Sequence, residues 1–96
     1  MEPNINYEII YSNNFVKHVK RHQLSGQKSI LEKIDCLLDE LRKHPYIGTG
    51  RPESLSYDKK GKWSRRITQK HRLIYQVNDT TITVSVLSAF GHYNDK

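Results

Sequence analysis

Arg66 and Arg72 stand in two neighbouring segments of alternating apolar and polar residues. A guanidinium group presents a planar fork of N–H donors that fits phosphate oxygens, so two of them on one surface make a plausible phosphate clamp. They belong to the most basic stretch of the chain. Residues 51–72 hold Arg51, Lys59, Lys60, Lys62, Arg65, Arg66, Lys70 and Arg72 against two acids, Glu53 and Asp58. The formal net charge of the 96 residues is +6, and this stretch carries all of it, because the basic and acidic residues elsewhere cancel. Such a concentration points to an anionic partner, nucleic acid first, since each phosphate contact releases condensed counterions. A solvated basic loop accounts for the same charge, and a cross-strand charge pair or a solvated sheet face accounts for the two arginines.

Other chemistry-bearing residues say less. His18 and His22 are four apart on a predicted helix, a spacing metal ligands use, but no third ligand accompanies them. Cys36 lies off the apolar stripe of its helix with no base placed for it, which suits an exposed thiol or an interface residue better than a nucleophile. His71 reads as structural, and Trp63, sharing parity with Ile67, reads as core. One cysteine excludes an internal disulfide and fits a reducing cytoplasm. No apolar run approaches the ~20 residues of a membrane span. The first residues lack the basic and apolar regions of a signal peptide.

These side chains need a scaffold, and the chain is long enough for one domain, expected over 1–96. Hydrophobic residues make up 35% and charged residues 27%, so the core must be thin, a sheet with one helix layer. Alternation from Ile5 to Tyr11 predicts a strand over 5–11. Ser12 is placed to cap a helix over 13–22 whose buried face is Phe15, Val16 and Val19. Ile30, Leu31, Ile34, Leu37, Leu38 and Leu41 form a helical stripe over 27–43 that Pro45 ends. Gly48, Gly50, Pro52 and Gly61 mark a loop over 44–62. Strands follow over 63–68, 71–78 and 81–90, with an Asn78-Asp79-Thr80 turn. The order is β-α-α-β-β-β, an α+β fold with two helices on one face of a small, mostly antiparallel sheet. Alternation sets Ser64, Arg66, Thr68 and Arg72 on the uncovered face, opposite Trp63, Arg65, Ile67, Leu73 and Tyr75.

Four strings make the chain recognisable: Gly48-Thr-Gly-Arg-Pro-Glu-Ser-Leu55, Gly61-Lys-Trp-Ser-Arg-Arg-Ile-Thr68, His71-Arg-Leu-Ile-Tyr75 and Gly91-His92-Tyr93. Together they resemble the YoeB/Txe toxins of the RelE superfamily, from about residue 5 to residue 93. The resemblance implies the fold just read. It also implies a cytoplasmic mRNA endoribonuclease that works in the ribosomal A site, without metal or other cofactor, and inhibits translation. The implied partners are a YefM/Axe-like antitoxin, the ribosome with its mRNA, operator DNA through the antitoxin complex, and a second copy of the chain; no membrane is implied. Residue by residue, Glu53 after Gly-x-Gly-x-Pro matches the general base, Arg72 the phosphate-binding arginine, His92 the general acid, and Tyr93 its neighbour in the site. Arg66 falls in the active surface, and Arg65, Lys59, Lys60 and Lys62 join it as expected RNA contacts. Where relatives commonly read Pro-Leu-Lys after the glutamate, this chain has Ser54-Leu55-Ser56. Lys59, Lys60 or Lys62 are then the nearby sources of that charge. Asn94-Asp95-Lys96 extend past the terminal tyrosine.

The residue types suit the reaction. Metal-free RNA cleavage by the adjacent 2′-hydroxyl needs a base for that proton, a cation for charge growing on the phosphoryl oxygens, and an acid for the departing 5′-oxygen. Glu53, Arg72 and His92 are one of each, and Tyr93 is suited to stacking on a base or to hydrogen-bonding the phosphate. A non-catalytic module on the same fold, either a ParE-like gyrase inhibitor or a plain RNA binder, is the competing reading; ParE-like chains lack this trio.

Overall fold

A computed structural model of the chain describes residues 6–55 and 61–91. Strand β1, Glu8–Tyr11, runs parallel to the last strand, β5, Thr83–Ser88, with Ile9 opposite Val84 and Tyr11 opposite Val86. Ser12 then turns the chain. Its backbone is extended and its Oγ accepts from the Phe15 amide at 3.0 Å, satisfying a donor of the first helical turn. The same hydroxyl donates to the Leu87 carbonyl at 2.9 Å, which fastens helix α1, Asn13–Leu24, to β5. Helix α2, Lys28–Lys43, buries the stripe Ile30, Ile34, Leu37 and Leu41. Leu37 and Leu41 are wholly inaccessible, and each contributes roughly 1.5–3 kcal/mol by its burial.

Three antiparallel pairings build the rest of the sheet from β2 (Glu53–Ser54), β3 (Lys62–Arg66), β4 (Arg72–Asn78) and β5. The spatial order is β1-β5-β4-β3-β2. Leu73, Tyr75, Val77, Val84 and Val86 meet Phe15, Ile34, Leu37 and Leu41 in one core. Both helices therefore pack on one face, as the alternation predicts. Glu8, Thr83, Ser85, Gln76, Ser64 and Arg66 have the opposite parity.

Element boundaries differ from expectation for local reasons. Residue 7 leaves the predicted first strand because its amide donates to the Arg42 carbonyl at the end of α2. The segment over 67–71 is a turn, in which the amides of Ile67 and Thr68 both donate to the His71 carbonyl and Thr68 Oγ1 accepts from the amides of Lys70 and His71. Asn78 Oδ1 accepts from the amides of Thr80 and Thr81, and Ile82 adopts φ 54°, which delays β5 to Thr83. Among its described residues, the predicted loop over 44–62 contains the short strand β2, with Glu53 opposite Ser64, and its last residue, Lys62, already opens β3.

Candidate active site

The turn to Glu53 is shaped by two glycines. Gly48 has φ 127° and Gly50 φ 87°, backbone that L side chains rarely adopt. A Cβ on Gly48 would stand 2.3 Å from Glu40 Oε1, and one on Gly50 2.8 Å from the Arg66 carbonyl. The Gly50 carbonyl accepts from the Arg66 amide at 2.6 Å. Arg51 follows at φ 53°, a strained value for a residue with a side chain. Pro52 then leads into β2, which pairs with β3 and presents Glu53 beside the uncovered face.

Arg66 and Arg72 are directly opposite one another on β3 and β4. Arg72 Nη1 lies 3.5 Å from Glu53 Oε1 and donates to Ser64 Oγ at 3.3 Å. Arg51, Pro52, Glu53, Arg66 and Arg72 line a cleft of about 340 Å³. Among the described residues, three guanidinium groups and one carboxylate line it, so that lining is net positive. The Glu53 side chain is 62% exposed and that of Arg72 22%, which leaves the carboxylate open to a ligand and the arginine steadied by the strand. Among the described residues, no hydrogen bond or ion pair engages the side chains of Arg51 and Arg66. Lys62 shares the parity of Ser64 and Arg66 on β3. Chemically, the cleft can hold an anion against two or three guanidinium forks with a carboxylate alongside. A larger groove of about 630 Å³ between α1 and α2 is lined mainly by apolar side chains such as Phe15, Val19 and Leu38.

The expectation for Arg65 is corrected. Its side chain is 0% exposed and lies on the helix side of the sheet. Nε donates to the Tyr75 hydroxyl at 3.1 Å, and Nη1 to Glu40 Oε1 at 2.7 Å and to the Thr49 carbonyl at 3.3 Å. Nη2 donates to the carbonyls of His44 and Ile47 at 2.5 and 2.8 Å. A guanidinium whose donors are all committed inside the protein has none left for RNA. Its work is to hold the loop after α2. Burial pushes the Glu40 carboxyl up, but hydrogen bonds from Thr49 and Arg65 and the Arg65 charge outweigh that and hold it below its ordinary value.

Arg51 and Ser64 were not assigned to a site from the sequence. The signal for Arg51 was its place between Gly50 and Pro52, immediately ahead of Glu53; for Ser64 it was parity with Arg66. His92, Tyr93, Lys59, Lys60 and Ser56 lie outside the described residues. Gly91, which precedes His92, is within them, and its carbonyl accepts from the Arg72 amide at 3.0 Å. The two helical histidines are engaged with main chain: His22 Nε2 bonds the Ala89 carbonyl and His18 Nδ1 the Ala89 amide, each at 2.9 Å. His71 is buried, Trp63 packs against the core and Cys36 is exposed.

Comparison with known proteins fits this geometry. A family model described as a YoeB-like toxin of bacterial type II toxin–antitoxin systems matches residues 11–93. The toxin YoeB of Escherichia coli K12 is 43% identical over 58 residues, 60% of this chain and 69% of that protein. Among solved structures, a YoeB/ParE toxin from Agrobacterium tumefaciens is 30% identical with a TM-score of 0.81, covering 90% of this chain and 99% of its own. YoeB of Staphylococcus aureus has been solved as a dimer, at 31% identity, TM-score 0.78 and coverage of 92% and 99%. It has also been solved in a YoeB–YefM complex, at 32% identity, TM-score 0.75 and coverage of 91% and 98%.

Proposed function

Because this chain belongs to the YoeB-like toxin family of bacterial type II toxin–antitoxin systems, we propose that it is an endoribonuclease that cuts mRNA in the ribosomal A site. The observation that carries this reading is the meeting of Glu53, Arg66 and Arg72 in one electropositive cleft on the uncovered sheet face. Glu53 takes the proton of the ribose 2′-hydroxyl, whose oxygen bonds to phosphorus. Arg72, with Arg66 and Arg51, stabilises the charge that gathers on the phosphoryl oxygens. The bond from phosphorus to the 5′-oxygen breaks, and His92 gives that oxygen its proton. A 2′,3′-cyclic phosphate and a 5′-hydroxyl result, with atoms and charge balanced by these side chains alone. Tyr93 stacks on a neighbouring base, and Lys59, Lys60 and Lys62 hold the RNA backbone.

The partners follow the same reading. A YefM-like antitoxin neutralises the toxin, as the Staphylococcus complex of the two suggests, and operator DNA is reached through that complex. A homodimer is in keeping with the dimeric relative. No helix among the described residues is long and apolar enough to cross a membrane, and the proposed site of action is the cytoplasm.

The test is cleavage on programmed ribosomes. The protein is expected to cut mRNA within the A-site codon. Glu53→Ala, Arg72→Ala and His92→Gln are each expected to lose at least about 100-fold in single-turnover rate while keeping native circular dichroism. Intact mRNA with stalled DNA gyrase overturns the reading in favour of a ParE-like inhibitor. Tight RNA binding without cutting reduces it to a binding module.

A further inference from the structure

Beyond β5, the chain over 89–91 is gripped by three imidazoles that the cleft chemistry does not use. The Ala89 amide donates to His18 Nδ1, and the Ala89 carbonyl accepts from His22 Nε2, both at 2.9 Å. The Gly91 amide donates to His71 Nδ1 at 2.9 Å. Between these bonds the Phe90 ring packs against all three imidazoles, with centroids 5.8 Å from His18, 5.1 Å from His22 and 4.4 Å from His71. The Arg21 guanidinium lies over the same ring at 4.0 Å. The next bond along, from the Arg72 amide to the Gly91 carbonyl, joins this hold to the cleft.

Donor and acceptor logic fixes the protonation of the rings. A backbone amide can only donate, so Nδ1 of His18 and of His71 must each offer a lone pair; both rings are neutral, with the proton on Nε2. A carbonyl can only accept, so His22 carries its proton on Nε2. A second proton on His18 or His71 can go only to the accepting nitrogen, where it would face an N–H. The bonds to Ala89 and Gly91 therefore exist only while those two rings are uncharged. Among the described residues, the titratable and charged groups that act on His18 are His22 and Arg21, from its own helix. His22 meets His71, from the turn before β4, edge-on at 4.9 Å. The gripped segment brings no titratable side chain. Burial, then the nearness of His22 and of Arg21, holds His18 below the usual imidazole value.

We propose that His18 and His71, supported by His22, are positioning residues whose neutral rings fix the main chain of Ala89–Gly91, set where His92 starts, and release that segment when protonated. The inference rests on His92 acting as the general acid. The link is covalent, because His92 follows Gly91 directly in the chain. Displacing a reacting group by about 1 Å can cost 100-fold in rate. Acid thus has two opposed effects: it protonates the general acid and loosens its mount. The sign of the stability term agrees. A histidine whose pKa is lowered on folding contributes fully above about 6.5 and loses that contribution as the pH falls.

Asparagine supplies the test, since its Oδ1 replaces histidine Nδ1 as an acceptor without titrating. Two readouts apply to the full chain between pH 8 and pH 5: amide exchange at Ala89 and Gly91, corrected for intrinsic rates, and single-turnover cutting on programmed ribosomes. The wild type is expected to lose at least about 10-fold of its protection at both amides by pH 5. The His18→Asn/His71→Asn variant is expected to keep it and to extend cutting to lower pH. His18→Phe, which removes one acceptor at similar volume, is expected to cut about 10-fold more slowly at pH 8, with unchanged ribosome affinity. Protection independent of pH in the wild type, or wild-type cutting by His18→Phe, overturns the inference. If His18→Phe does not fold, the contrast between wild type and the double asparagine variant decides alone. A wild type that never cuts sinks the nuclease reading and this inference with it; a wild type that cuts, with both variants cutting identically at every pH, sinks this inference alone.

Discussion

Arg66 and Arg72 face each other across β3 and β4, and like charges directly opposite in a sheet repel. Arg72 is eased by Glu53 and Ser64, whereas the Arg66 side chain has no such partner among the described residues. A site that leaves a guanidinium unneutralised is poised for an anion, and it is poised at a cost to the empty protein. Replacing Arg66 by threonine, a good strand former, is therefore expected to raise the stability of the free protein by about 0.5 kcal/mol. The same change is expected to weaken binding of a short single-stranded RNA about 5-fold to 10-fold. Urea unfolding and RNA titration read the two effects separately. A variant that loses both stability and affinity would show that Arg66 is structural. Arg65, one position earlier, gives the contrast: the same charge, on the other face of the strand, is spent on Glu40, Tyr75 and three carbonyls.

At the scale of elements, that buried arginine is what ties the loop after α2 to the sheet. Glu40 on α2 accepts from Arg65 and from both the amide and the hydroxyl of Thr49, so helix, loop and β3 meet at one carboxylate. The loop then runs through Gly50 to Glu53. Its pH dependence follows from the sign of the Glu40 shift. A carboxyl held below its ordinary value stabilises the fold above the usual carboxylate range, near 4.3, and that contribution is lost as the pH falls through the lowered value. Glu40→Gln is expected to cost about 1–3 kcal/mol at pH 7, leaving Arg65 short of its counter-charge, and to flatten the fall in stability below pH 5. Urea unfolding at a series of pH values checks both. Much of this layer was legible beforehand, because helical stripes and strand alternation follow from burial on one face: the Ser12 cap, the Leu37 and Leu41 stripe and the parity of Arg66 and Arg72 are all as read. Parity likewise sets Arg65 with Trp63 and Ile67 on the helix side, and its burial there prevails over the expected contact with RNA. What local pattern could not carry was tertiary: the two-residue β2, formed because β3 offers it a partner, the left-handed Arg51 in the cleft, and the three histidines that meet over 89–91 from distant parts of the chain.

At the scale of the whole molecule, part of the charge that the chain concentrates in sequence is also gathered in space. The +6 excess lies over 51–72, and Arg51, Arg66 and Arg72 from that stretch border one cleft on the face the helices leave bare. Arg65 is subtracted from that surface by burial, so formal charge overstates what RNA would meet. Electrostatic binding of single-stranded RNA loses affinity with salt in proportion to the phosphates neutralised, with a slope of about 0.7 per phosphate on logarithmic axes. Removing a cation that touches a phosphate lowers the slope by about that amount, and removing one that does not touches only the intercept. Arg51→Ala, Arg66→Thr and Arg72→Ala are each expected to reduce the slope by roughly 0.7. A Lys28→Ala control, exposed at the start of α2 in the helix layer that covers the other face, is expected to leave it unchanged. The measurement is the dissociation constant of a short RNA without ribosomes from about 50 to 200 mM salt. Equal slopes for all four variants would mean that the bound strand runs elsewhere, and that the cleft between β2, β3 and β4 is not where phosphate sits. A drop confined to the three cleft arginines would set the RNA backbone beside Glu53, where the proposed base has to be for a 2′-hydroxyl to lose its proton.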